Sequence, residues 1–495
     1  MAPISPNRPQ LITYVDRLAS DLQGLDRLLR SELDGAFGGV HLLPFFTPID
    51  GADAGFDPID HCEVDPRLGT WEDVGRIGRD FVVMADLIVN HVSSASAPFL
   101  DWQAHGSASP YDGMFLTLER VFSGGPDDPD IDKLYRPRPG RPFTAYEIAG
   151  REQQVWTTFT SDQVDIDVNS PAGRDHLLGV LDRFAAAGID LVRLDAVGYA
   201  IKKPGSSSFM IPETFEFIDW ITEQSRTRGM GVLVEIHAHH RHQIEIADRV
   251  DAVYDFALPP LVLHALHTGD AAPLEEWLRI APRNCVTVLD THDGIGIVDV
   301  APEGELDGLL SAQQVDELVE TMHEASGGRS REATGAAASN LDLYQVNTTF
   351  YEALASEDEA HFVARLIQVL CPGIPQVYYA GLLAAPNQME LLHRTKVGRD
   401  INRPYYSDEG LAAAMQTDVV IDTLGLLRWR NCNADLFEGS FDVLDSPSGV
   451  LAFRWTRGDD VLEATIDVTR RSFRLEIGES VFTSPADFRR SDRFR

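Results

Sequence analysis

Four short apolar runs in this chain end in groups suited to acid–base and nucleophilic chemistry. They read Asp86-Leu87-Ile88-Val89-Asn90-His91, Arg193-Leu194-Asp195, Val234-Glu235-Ile236-His237 and Asp290-Thr291-His292-Asp293. In an extended strand residues i and i+2 share a face, so Arg193 and Asp195 point the same way. A guanidinium beside Asp195 favours the ionised carboxylate that a nucleophile requires. Glu235 follows Val232-Leu233-Val234, surroundings that suit a carboxyl holding its proton as a general acid and later acting as base. Each residue alone has a plainer use. A strand-end aspartate commonly caps a helix or pairs with a cation, and histidines such as His91 or His292 commonly serve as hydrogen-bonded packing residues. Gathered at one end of one sheet, however, such charges cost stability that a protein without chemistry has no reason to give up.

A metal site is the competing use of such a set. His237, His239, His240 and His242 lie close together, but they share no helical or strand face, and no cysteine or HExxH pattern accompanies them. No calcium loop of regularly spaced oxygen ligands is present either. The expectation is chemistry without metal or cofactor.

The elements that must position these groups are short β-rich runs separated by helix-length segments. Eight are read: Leu11–Val15, Val40–Phe45, Phe81–Val89, Asp190–Leu194, Val232–Ile236, Ala252–Phe256, Val286–Leu289 and Pro375–Tyr379. Their near-continuous apolar character suits parallel strands covered on both faces. Between the third and fourth runs, Ser170-Pro171 provides an N-cap and first-turn proline. Leu177, Leu178, Leu181 and Phe184 follow at helical spacing, and Gly188 ends the helix. Eight such strands with helical crossovers predict an α/β fold, the (β/α)8 TIM barrel, with a doubly wound sheet as the alternative. The barrel takes residues 1–91, 168–293 and 356–437. Long insertions at 92–167 and 294–355, after the third and seventh strands, leave from the end where barrel enzymes build their sites. From residue 438 to 495 the pattern alternates, as in Leu451, Phe453, Trp455 and Leu462, Ala464, Ile466, Val468 around Arg457-Gly458-Asp459-Asp460. That predicts a C-terminal antiparallel β domain.

The formal net charge of -35 repels phosphate backbones and anionic lipid, which argues against nucleic-acid or membrane-surface partners. It also means that an anionic substrate needs a local island of cations. Cys62, Cys285, Cys371 and Cys432 show no paired spacing and have largely apolar neighbours, so buried free thiols are expected. The first nine residues carry no apolar signal core, and the most apolar stretch, Leu366 to Ala385, is broken by Pro372, Gly373 and Pro375. A cytoplasmic location without a membrane span is the expectation.

The four strand ends, in this order, resemble the signature regions of the α-amylase family of glycoside hydrolases and transglucosidases. More narrowly, the chain resembles the sucrose phosphorylases over nearly its whole length. The closer likeness lies in Pro44 to Pro48 with Gly51 to Asp57, Tyr135-Arg136-Pro137-Arg138-Pro139-Gly140, Tyr254 to Pro260, Thr334 to Gln345, and Gly398 to Arg403. The resemblance implies that Asp195 attacks the anomeric carbon, Glu235 protonates the departing oxygen and Asp293 stabilises the oxocarbenium-like transition state. It implies that His91, Arg193 and His292 hold the glucosyl unit and the nucleophile, and that Asp53 and Arg399 clasp its far side. Phe56 and Phe159 are implied as aromatic walls. Tyr199, His237, Arg138, Asp342, Tyr344 and Gln345 are implied to hold fructose and phosphate in alternation. Arg138 and His237 would be the cationic island. The implied partners are the small molecules sucrose and inorganic phosphate, and a homodimer is suggested.

Retention requires the two carboxyls to stand about 5–5.5 Å apart, against about 6.5–9.5 Å for inversion. One departure from the likeness is His237-Ala238-His239-His240, where relatives tend to carry His-Ser-Tyr-Tyr. It is expected to put two histidines near the pocket rim and to bear on acceptor preference. Related phosphorylases use glucosylglycerol, glucosylglycerate or sucrose 6′-phosphate. A sucrose hydrolase or isomerase would share the carboxylates without needing Arg138 and His237. A transporter-associated barrel or a carbohydrate-binding module would not need the full acid set.

Overall fold

The computed structural model describes residues 7–51, 53–136, 140–334 and 345–490. Eight parallel strands close into a barrel, and each strand pairs with its neighbours in sequence. They are β1 (Gln10–Thr13), β2 (Gly39–Leu42), β3 (Val82–Ile88), β4 (Leu191–Asp195), β5 (Gly231–Val234), β6 (Ala252–Asp255), β7 (Cys285–Thr287) and β8 (Ile374–Tyr378). The ring closes between β1 and β8, where Leu11 faces Val377. All eight expected runs are these eight strands, displaced by a few residues at their ends. The continuous apolar runs reflect burial on both faces: β2, β5, β6 and β8 are buried throughout.

The helix Pro171–Ala187 shows how local sequence sets the return from β3 to β4. Ser170 Oγ accepts a hydrogen bond from Gly173 N, Pro171 opens the first turn, and Gly188 ends the helix in the left-handed region at φ 79°. Leu177, Leu181 and Phe184 turn inward and are fully buried.

The interior of the barrel carries a buried hydrogen-bonded column. Gln376 Nε2 donates to Gln10 Oε1 at 2.8 Å, and Tyr254 Oη donates to Gln376 Oε1 at 3.0 Å. The Tyr254 hydroxyl lies 3.5 Å from His41 Nδ1, and His41 Nε2 lies 3.0 Å from Asp86 Oδ2. Asp86 then accepts from Arg193. All of these side chains are buried, so each polar group must find its partner within the protein.

The connection after β3 builds a wall of its own from the helix Ala97–His105 and the hairpin Phe143–Ile148/Arg151–Trp156. The connection after β7 contains the helix Ala312–Ala325, and its strand Ile295–Gly296 pairs antiparallel with Gln345–Val346. A five-stranded antiparallel sheet follows the barrel. Its hairpin pairs Arg457 with Asp460, and Leu462, Ala464 and Ile466 alternate into its buried face. All four cysteines are free, but only Cys285 and Cys371 are buried. Cys62 is half-buried, and Cys432 at the end of the helix Asp418–Cys432 is exposed, which corrects the expectation of uniform burial. Among the described residues, no single helix is long and apolar enough to cross a membrane.

Candidate active site

A cleft of about 830 Å³, counting its open mouth, lies at the C-terminal ends of the barrel strands. Asp53, Phe56, His91, Phe159, Asp195, Tyr199, Glu235, His237, His292, Asp293 and Arg399 all line it. Arg193 lies beneath the floor, 2% exposed. Its Nη1 donates to Asp195 Oδ1 at 2.9 Å and also to Asp86, while its Nη2 lies 3.8 Å from Glu235 Oε1. Asp195 and Glu235 are thus both approached by one guanidinium, through separate nitrogens. The register places Arg193 of β4 beside Asp86 of β3 and Leu233 of β5, which makes this reach short.

The charges around Asp195 modify the sequence-based expectation. Burial pushes its pKa well above the ordinary carboxylate value; Arg193 opposes this, while Glu235, Asp86 and Asp293 reinforce it. Arg193 is the group that favours the Asp195 anion, and it is shared with Asp86 and Glu235. The residue after Asp195, Ala196, is held at φ 54°, a strained setting for a side chain with Cβ.

Asp293 lies in the opposite regime. Although its own burial raises the pKa, Arg399, His292, Arg403 and Arg193 together bring it well below the ordinary value. Arg399 Nη1 lies 2.7 Å from Asp293 Oδ1 and 3.6 Å from Asp53 Oδ2. The turn Gly398–Asn402 and its neighbour Arg403 fasten this corner: Arg403 Nε donates to His292 O at 2.9 Å and Asn402 Nδ2 to Asp293 O at 2.7 Å. His292, stacked on Phe56 with ring centroids 4.6 Å apart, is lowered to about 3 by burial, with Arg193 and Arg403 adding to it. Its Nε2 lies 3.5 Å from Asp293 Oδ1.

The opposite wall is built by the connection after β3. His91 Nε2 lies 2.8 Å from Phe56 O, and its ring meets Phe159 edge-on at 5.4 Å. Asp165 accepts from Thr158 N at 2.8 Å, which sets the backbone next to Phe159. Asp165 also pairs with buried Lys202 at 2.6 Å, and Lys202 Nζ donates to Tyr199 O at 2.6 Å. Phe159 and Tyr199 meet edge-on at 5.2 Å. One buried ion pair thus steadies the backbone beside both Phe159 and Tyr199.

Elsewhere along the cleft, His237 stacks on Phe256 at 3.9 Å. Its Nδ1 lies 3.1 Å from Asp299 Oδ2 and its Nε2 3.8 Å from Glu235 Oε1. Burial alone would lower its pKa, but Asp299, then Glu235 and Asp293, raise it above the ordinary histidine value. Gln345 lies outside the cleft lining, on the short strand facing Gly296. Arg138, Asp342 and Tyr344 lie outside the described residues.

His239 and His240 do not stand at the pocket rim, contrary to expectation. His239 is fully buried, with Nδ1 accepting from Arg241 N at 3.3 Å and Nε2 3.1 Å from Asp307 O, so it caps the helix His240–Ala247. His240 packs edge-on against Trp277 at 5.9 Å. Neither borders the cleft.

Sequence reasoning did not single out Gln163, Phe209 or Tyr135 as lining residues, nor Lys202, Asp165, Arg403 and Asp299 as supports. Only Tyr135 had a signal, in the Tyr135-to-Gly140 motif. Ligand-type atoms of Glu235, His237 and Asp293 lie within 4.8 Å of one another. Two of the three already face Arg399 and Asp299, so the set has the charge balance of an acid–base site, not of a metal centre.

The family model for the alpha amylase catalytic domain matches residues 19–267. Sucrose phosphorylase from Agrobacterium vitis is 52% identical over 467 residues, covering 94% of this chain and 96% of that protein. The sucrose phosphorylase of Bifidobacterium adolescentis is 49% identical and covers 92% and 90%. The crystal structure of sucrose 6F-phosphate phosphorylase from Thermoanaerobacter thermosaccharolyticum superposes with a TM-score of 0.89 at 37% identity, covering 98% of this chain and 99% of that one. Barrel, carboxylate cluster and sequence agree that this chain belongs to the α-amylase family, within its group of sucrose phosphorylases and allied phosphorylases.

Proposed function

We propose that the chain transfers glucose from sucrose to inorganic phosphate by double displacement, giving α-glucose 1-phosphate and fructose with retention. The observation that carries the mechanism is the single buried guanidinium of Arg193, which reaches Asp195 and Glu235 through separate nitrogens. That closeness favours a nucleophile and an acid working on one anomeric carbon.

Glucose sits innermost, between Phe56, Phe159 and the Asp53–Arg399 corner. Glu235 gives its proton to the fructose oxygen as the glycosidic bond breaks, and an Asp195 oxygen bonds to C1, forming a β-glucosyl ester. Asp293, anionic beside two arginines, faces the positive charge that develops in the transition state. Phosphate then enters the space fructose has left, with His237 and Arg138 as its cationic contacts. A phosphate oxygen attacks C1, its proton passes to Glu235, and Asp195 leaves as carboxylate. The resemblance adds Tyr199, Asp342 and Tyr344 to the acceptor side, whereas Gln345 stands outside the cleft lining. No metal or cofactor takes part in this scheme.

The four free cysteines support a cytoplasmic location; a homodimer rests on the resemblance alone. The test is to supply sucrose with and without phosphate and measure glucose 1-phosphate against free glucose. Glucose 1-phosphate should dominate when phosphate is present; free glucose alone would reduce the reading to hydrolysis. In the reverse direction fructose should outperform glycerol, glycerate and fructose 6-phosphate as acceptor.

A further inference from the structure

Asp299 is fully buried, and among the described residues no lysine or arginine pairs with it. Its carboxylate instead draws three donors from the segment after β5. His237 Nδ1 lies 3.1 Å from Oδ2, while Gln243 Nε2 at 2.9 Å and Ala238 N at 3.3 Å donate to Oδ1. Burying a carboxylate without a basic partner is costly. The cost is offset only if a neighbour carries positive charge, and His237 is the group in contact able to do so. Phe256, stacked on the ring, hinders its turning over. Gly296 makes the approach possible, because a Cβ there would fall 2.4 Å from Asp299 Oδ2 and 2.9 Å from His237 Nδ1.

We infer that Asp299 is a positioning residue for acceptor choice: it fixes His237 with Nδ1 held and Nε2 turned toward Glu235 as a donor, so that the cleft takes an oxyanion in preference to a neutral hydroxyl. This rests on the phosphorolytic reading above. The groups facing His237 are Asp299 from the connection after β7, Glu235 from the end of β5, Asp293 from the end of β7, and the uncharged Gln243 and Phe256. All three charged neighbours are anionic, so they favour the imidazolium. Without that charge, the described ionisable groups facing His237 would present a phosphate with carboxylates alone. The pair also sits at the root of the strand Gln345–Val346, since Gly296 faces Gln345 in the register, and that strand directly follows the segment carrying Asp342 and Tyr344.

The experiment compares the full-length enzyme with Asp299→Asn, which preserves shape and an acceptor for Nδ1–H but removes the charge. Loss of a charge-assisted partner predicts that KM for phosphate rises roughly 10- to 100-fold while KM for sucrose changes less than about threefold. The ratio of variant to wild-type kcat/KM for phosphate, in which phosphate's own ionisation cancels, should fall as pH rises from 5.5 to 8. Gly296→Ala, which wedges the pair apart while keeping both groups, should act in the same direction. A flat ratio, or sucrose and phosphate parameters falling together, overturns the inference and leaves Asp299 a purely structural group. Should neither variant fold, nitrogen NMR of the wild-type histidines, with His237→Gln for assignment, decides. His237 must remain protonated above pH 6.5, and titration below that value refutes the assignment. A wild-type enzyme that forms no glucose 1-phosphate would instead refute the phosphorolytic reading itself.

Discussion

Asp255 offers a test of whether the buried polar groups behind the cleft behave as their surroundings dictate. It ends β6, next to the Phe256 ring that carries His237. Its Oδ1 accepts from Trp277 Nε1 at 2.9 Å and from Leu258 N at 3.0 Å, the latter at the start of the helix Leu258–Thr268. No cation is among these partners, and burial raises its pKa from 3.8 to about 7 despite the opposing hydrogen bonds. The folded protein therefore binds a proton at Asp255 that the unfolded chain has already released between pH 4 and 7. Stability must fall as pH rises through that window, and the loss is complete above it. From pH 5 to pH 8 this single group removes about 3 kcal/mol. Asp255→Asn keeps an acceptor for Trp277 and Leu258 but cannot ionise, so it should escape the loss. The assay is thermal unfolding of both proteins at several pH values. For a chain of this size, about 3 kcal/mol corresponds to about 3 °C, so the Asn variant should gain that much relative to wild type between pH 5 and 8. A difference in midpoint that stays constant with pH would refute the reasoning.

Two further substitutions address the chemistry. Glu235→Gln removes the proposed proton donor, so turnover of sucrose should drop about 10²- to 10⁴-fold, while α-glucosyl fluoride, whose leaving group needs little assistance, should form the glucosyl-enzyme with a much smaller loss; equal losses for both donors would deny Glu235 the acid role. Arg399→Met removes the cation 2.7 Å from Asp293, so kcat/KM for sucrose should fall about 10²-fold and its acid limb should move to higher pH as the Asp293 carboxyl loses its strongest support; a limb that stays in place would show that Arg403 and His292 suffice.

Legibility in the sequence follows the range of the interactions. The barrel strands are readable because a parallel strand buried on both faces is a continuous apolar run, whatever it pairs with. Arg193 and Asp195 are readable as a pair because alternation along one strand puts them on one face, and the 2.9 Å contact depends on nothing more distant. Asp299 lies 62 residues from His237, and Arg403 lies 350 residues from the Asp53 that it approaches at 3.4 Å. No local spacing announces such partners. His239 misleads for a related reason: proximity to Glu235 in sequence suggests the rim, but the turn into the helix His240–Ala247 carries it away from the cleft to cap that helix. The half-exposed and exposed cysteines were equally invisible, since apolar neighbours in sequence do not determine which side of a helix faces solvent.

The hydrogen-bonded column inside the barrel has a consequence for how the enzyme comes into being. The chain of contacts that leads to Asp195 runs through Gln10 and Gln376, so the electrostatic footing of this proposed nucleophile draws on both the first strand and the last. A growing polypeptide emerging from the ribosome carries every proposed catalytic carboxylate well before residue 376 appears. Competence to react should therefore arrive late and abruptly, when the closing stave slots in, and nascent fragments halted before it should hold the reactive groups without the field that tunes them.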